Sequence, residues 1–274
     1  MVRLLRPILC LILASTAAEA QGNLSEVFSI IRREGPQSSE AGRSRVFEIL
    51  RDYSTGEKLA GEWQTINAGL SDPDSFVRDQ ACAILATIVY LNSARPIDLP
   101  NTTRDLVLER FGEARPNLRE NAVRVIGLMA GGVPAGIEPQ LLQMAHTDPA
   151  SSVRSVAIAS LASIRTPNPE ITEFWVKSLE SGQDTALRRM VLGNFGHYAP
   201  TDPKVISLVI DALRDKDYLV RQDAIAAVTR IGKPAGSALP LLIDIRNAPA
   251  SDEMMFSNCG YLARVFSRTT GTAS

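Results

Sequence analysis

The feature that most constrains this chain is a period of about 34 residues, because a unit so short cannot enclose a core and must stack on copies of itself. Asp72-Pro73-Asp74-Ser75-Phe76-Val77-Arg78, followed by Ala81 and Leu85-Ala86, returns as Asp148-Pro149-Ala150-Ser151-Ser152-Val153-Arg154, followed by Ala157 and Leu161-Ala162. A third copy runs from Asp215 to Ala224 around Val220-Arg221, and degenerate copies centre on Leu118-Arg119 and Leu187-Arg188. With an N-terminal copy at Arg43, the marker arginines are Arg43, Arg78, Arg119, Arg154, Arg188 and Arg221, at intervals of 35, 41, 35, 34 and 33 residues. Met255 takes the arginine position of a seventh unit.

Each unit reads as two helices. In the second, apolar residues recur at helical spacing, as in Val77, Ala81, Leu85 and Ile88, and so share one face. Asp72, Asp148 and Asp215 precede this helix, where a carboxylate can cap free N–H groups, and Pro73 and Pro149 suit a helix opening. The first helices are expected over 62–70, 102–111, 137–146, 170–179, 204–213 and 238–246. No stretch alternates with the period of a strand, so the predicted class is all-α.

The unit length also suits tetratricopeptide and ankyrin repeats, but Trp63 and Trp175 stand at unmatched offsets and no Thr-Pro-Leu-His turn is present. The Asp-x5-Arg spacing of Asp72/Arg78, Asp148/Arg154 and Asp215/Arg221 resembles the HEAT repeat family in its short bacterial form, related to phycobilin lyase repeats. So do the Ala three residues after the Arg and Gly232-Lys233-Pro234-Ala235-Gly236 before Leu239-Pro240-Leu241-Leu242. The resemblance implies a right-handed α-solenoid of about seven antiparallel helix pairs. Residues 21–55 would form an N-terminal capping pair, 56–267 the repeat array and 268–274 a tail.

It also implies a structural ladder in which each Arg meets the acid of its own or the adjacent unit: Asp72, Arg78, Glu113, Arg119, Asp148, Arg154, Arg188, Asp215 and Arg221. Gly182 replaces the acid in one unit, with Asp184 as a possible substitute, while Gln37 and Met255 break the ladder at the ends. Loss of Arg154 should therefore cost more than loss of Arg43. The extra residues of the long interval fall in Leu91 to Pro100, a Pro-rich loop that is either a binding element on one rim or a tolerated insertion.

Composition narrows the chemistry. Lys+Arg 29 against Asp+Glu 30 leaves no electrostatic footprint for nucleic acid, and 45% hydrophobic residues exclude a disordered chain. The 2 His, His146 and His197, have no metal-ligand spacing. Cys82 and Cys259 align at one core offset, where other units carry Val123, Ile158, Leu192 and Ile225. At about 8–10 Å per layer they lie roughly 40–50 Å apart, against about 7 Å for a disulfide, so free buried thiols are expected. Gly127 to Gly136 lacks the Lys of a phosphate loop and reads as a turn between units. Asn23-Leu24-Ser25 and Asn101-Thr102-Thr103 match glycosylation sequons by composition alone. No catalytic residue, metal or cofactor is assigned.

Arg3 and Arg6, the apolar run from Pro7 to Ala18, and Ala18-Glu19-Ala20 have the form of a secretory signal over residues 1–20. Twelve helical residues cover only about 18 Å of a ~30 Å hydrocarbon core, too little for a spanning anchor. An exported, periplasmic or extracellular monomer is expected. Side chains one and five residues after the ladder Arg should face away from the first helices: Asp79, Glu120, Arg124, Ser155, Arg189 and Gln222. This mixed-sign polar row reads either as a groove for a protein or peptide partner or as a solvated face. The primary reading is a non-enzymatic interaction scaffold; the resemblance implies, as runner-up, a bilin-lyase-like enzyme acting on the concave face, and a purely structural surface protein is the third.

Overall fold

A computed structural model describes residues 22–53, 57–164, 168–180, 184–195 and 200–247. The expected signal segment, His197, Gly182, Met255, Cys259 and the tail lie outside these residues. Among them there are thirteen α-helices and no strand. They are α1 (Leu24–Glu34), α2 (Glu40–Arg51), α3 (Trp63–Leu70), α4 (Ser75–Leu91), α5 (Asn101–Glu109), α6 (Pro116–Leu128) and α7 (Glu138–Thr147). Next come α8 (Ser151–Ser163), α9 (Pro169–Leu179), α10 (Thr185–Phe195), α11 (Pro203–Asp211), α12 (Tyr218–Ile231) and α13 (Leu239–Asn247). Short 3-10 turns at Arg110–Gly112 and Ala212–Arg214 extend α5 and α11, so the first helices of the repeats match expectation to within two residues.

The described residues fall into two compact units, one ending at Ser160 and the other beginning at Leu161, within α8. In each, first helices pack on first helices (α1 on α3, α3 on α5; α9 on α11) and second on second (α4 on α6; α10 on α12). This is the helix-pair stacking that a 34-residue unit requires. In the first unit the apolar faces merge into one core that includes Leu24, Phe28, Ile49, Leu70, Leu85, Leu118 and Ile126. In the second, Trp175 packs against Phe174 and edge-on against Phe195, with ring centroids 4.9 and 5.2 Å apart.

The helix starts correct one detail. Asp72, Asp148 and Asp215 do not cap the helix; each accepts the N–H two residues on, from Asp74, Ala150 and Asp217 at 2.8–2.9 Å. The N-cap lies four residues before the ladder Arg. Asp74, Asp184 and Asp217 hold that place and accept the N–H groups of Phe76, Ala186 and Leu219. Asp184 is thus a helix cap rather than a replacement ladder acid.

The long loop is also less free than a rim insertion. Ser93 to Pro96 are exposed, but the Ile97 carbonyl accepts the Ala130 N–H at 2.8 Å and Leu99 is buried in the core. The glycine-rich turn joins α6 to α7 through Gly131, Gly132 and Gly136 at φ +80°, +73° and +89°, a region that favours glycine. Thr103 of the second sequon is buried and donates to Asn67 Oδ1 at 2.8 Å, linking α5 to α3.

Candidate functional site

The ladder runs forward along the chain. Arg78 Nε and Nη2 donate to Glu113 Oε1 and Oε2 of the next repeat at 2.9 and 3.3 Å, while Nη1 holds the carbonyls of Asp72 and Pro73 in its own turn. Arg119 repeats this grip with Asp148, at 2.7 and 2.8 Å, and with the carbonyls of Glu113 and Ala114. Arg188 reaches Asp215 through Nη1 and Nη2. Arg154 and Arg221 keep the own-turn end, donating to the carbonyls six and five residues back. A planar fork with donors on both edges suits this double duty, which a lysine could not perform.

The electrostatics follow. Burial opposes ionisation of Asp148, but the Arg119 guanidinium and the Ala150 N–H outweigh it and hold the carboxyl below its ordinary value. Glu113 is lowered by Arg78 and Arg110. Asp72 is lowered by the Asp74 N–H and Arg32 against the cost of burial. These carboxylates are committed to stacking.

The first repeat departs from the rule. Arg43 keeps the own-turn contact, Nη1 donating to the Ser38 carbonyl. The acid one repeat ahead, Asp72, receives Arg32 from α1 instead, Nε to Oδ2 at 2.9 Å. The α1–α2 pair is tied down elsewhere: Glu62 accepts the Tyr53 hydroxyl at 2.7 Å and the Leu24 N–H at 3.4 Å, and Arg45 pairs with Glu26 at 2.8 Å. Burial and the Glu62 carboxylate push the Tyr53 phenol up.

Four members of the polar row have side-chain partners. Glu120 and Arg124 pair at 2.7 Å on α6, with Arg124 half-exposed. Arg189 pairs with Asp223 of the following repeat at 3.0 Å, and Gln222 Nε2 donates to the Tyr218 hydroxyl. Asp223, two residues past its ladder Arg, was missed by offset reasoning. Burial raises its carboxyl, with Arg189 acting in the opposite sense.

Asp79 does not belong to this surface. It is 3% exposed, its Oδ1 has no hydrogen-bond partner, and burial raises its carboxyl although Arg115 opposes the shift. Position alone misassigned it, since the same offset on α6 leaves Glu120 reachable by solvent.

Cys82 is a buried free thiol facing the Leu118 carbonyl at 3.9 Å, and burial pushes its ionisation far up, which leaves it chemically inert. His146 is exposed in the last turn of α7. Among the described residues no three His, Cys, Asp or Glu side chains are grouped closely enough to hold a metal ion, and no helix is long and apolar enough to cross a membrane.

Helix pairs stacked on a forward-reaching Arg–carboxylate ladder define the class: a helical-repeat protein. Residues 172–254 match the family model described as HEAT repeats, a stretch that holds the Asp215/Arg221 unit. No curated protein matches. Solved structures similar to it include an engineered protein at 17% identity and TM-score 0.49, covering 77% of this chain and 95% of that one. Another is a designed armadillo repeat protein in complex with the peptide (KR)4, at 14% identity and TM-score 0.46, covering 76% and 99%.

Proposed function

We propose that this chain is an exported, non-enzymatic scaffold that binds a polar protein or peptide segment through the exposed side of its second helices. The observation that carries the reading is the treatment of charge. Ladder ions are buried or half-buried and spent on the fold, whereas Glu120/Arg124 and Arg189/Asp223 are held by intramolecular pairs with guanidiniums 37% and 41% exposed. Positioned charges of both signs recognise a polar partner at low ordering cost. Export rests on the signal-like residues 1–20.

Photo-crosslinking groups at Glu120 and Arg189 in the native envelope, with His146 on the first helix α7 as a control, test the surface. A reproducible adduct at the first two and not at His146, reduced by Arg124→Glu or Asp223→Lys, is expected. Equal labelling at all three sites overturns it. Export predicts a mature N-terminus at Gln21 in the same preparation; an intact Met1 in the cytoplasmic fraction refutes that half.

A further inference from the structure

We propose that the groove between α2 and α4 binds a free medium-chain fatty acid, with Arg43 as the partner of its carboxylate. Where α4 packs directly along α6, a groove of about 790 Å³, counting the solvent at its mouth, lies between α2 and α4. About 90 Å³ of it is enclosed, so an occupant lies along an open trough with part of its length in solvent. Val46, Phe47 and Leu50 form one wall and Phe76, Ala83 and Ile84 the other, with Ile30 and Ile31 at the end of α1 closing it. Val46, Phe47 and Phe76 are half-buried, so the apolar lining is reachable from outside.

Arg43 is the single charged residue in this lining. The one hydrogen bond of its side chain goes to the Ser38 carbonyl, and among the described residues it pairs with no carboxylate. The ladder rule would give it Asp72, but Arg32 has taken that acid. Glu34, on the neighbouring turn, is spent on Arg33 and on the Ser39 N–H and hydroxyl. Nε and Nη2 therefore remain for a bidentate carboxylate, the contact they make in the rungs below. A half-buried, unmatched cation in an apolar trough calls for an amphiphile of opposite charge. The acyl chain replaces water along the walls, and the head completes the missing rung. This groove shares no residue with the polar face of the second helices, so either reading can fail without the other.

Calorimetric titration of the full chain with dodecanoate and with dodecanol, both below their self-association concentrations, tests the proposal. Dodecanoate should bind at one per chain and at least tenfold more tightly than dodecanol. Arg43→Gln should remove that preference while leaving dodecanol affinity unchanged. Val46→Trp, which fills the trough, should abolish both, with thermal unfolding of each variant confirming the fold. Absence of saturable dodecanoate binding, several dodecanoates per chain, or an unchanged acid-to-alcohol ratio in Arg43→Gln overturns the assignment.

Discussion

Arg119 and Arg43 occupy the same place in their repeats and do different work. Arg119 is clamped between its own turn and Asp148, with side chains 10% and 6% exposed; Arg43 holds only its own turn. The sequence motif alone would rank them by distance from the chain end. The structure ranks them by whether the next acid is free, and a single residue outside the repeat pattern, Arg32, decides that.

The strongest test of this contrast is the size of the loss on removing each guanidinium. Arg119→Met strands a buried Asp148 and should cost about 3–5 kcal/mol in urea unfolding, with much of it recovered in Arg119→Met/Asp148→Leu, where no charge is left unpaired. Arg154→Met removes bonds to the Asp148 and Pro149 carbonyls and should cost less, about 1.5–3 kcal/mol. Arg43→Gln should fall below about 1 kcal/mol. A cost for Arg119→Met no larger than for Arg43→Gln would break the comparison.

Acid sharpens it further. Asp72, Glu113 and Asp148 all have carboxyls held below their ordinary values in the folded chain. Such groups contribute stability above the unfolded-state pKa and lose it as pH falls through the folded one. The midpoint of unfolding should therefore drop below about pH 4, and Arg119→Met should flatten that drop. An unchanged acid limb in the variant would mean that Asp148 owes its lowered value to the Ala150 N–H rather than to the rung.

Much of this architecture was legible in the chain because the ladder uses residue types that are conspicuous against an apolar helix face. Six arginines at near-constant spacing located the second helices to within a few residues. The direction of each rung was not legible, since an acid six residues before an Arg is equally available to its own repeat and to the preceding one. The caps Asp74, Asp184 and Asp217 carried a visible signal, an acid four residues before the Arg in three repeats, and were overlooked beside the more prominent Asp-x5-Arg spacing. The groove gave no sign, because it arises where α2 and α4 leave apolar walls open and Arg32 diverts Asp72; neither is a property of the repeat.

Asp79 yields the smallest effect and the most discriminating sign. Asp79 and Asp148 are both buried aspartates near an arginine, yet Asp148 is doubly bonded and lowered while Asp79 has an orphan oxygen and is raised. A raised carboxyl contributes its stability below the unfolded-state pKa and loses it as pH climbs through the folded value, so at pH 7 ionised Asp79 is a burden. Asp79→Asn should raise Tm at pH 7 by about 1–3 °C, on the scale of roughly 2–4 °C per kcal/mol for a chain of this size. The gain should vanish near pH 3, where the native residue is protonated. Asp148→Asn should move the other way at neutral pH. Should both substitutions lower Tm, attraction to Arg115 outweighs burial at Asp79, and that carboxylate is an unrecognised rung between α4 and the start of α6.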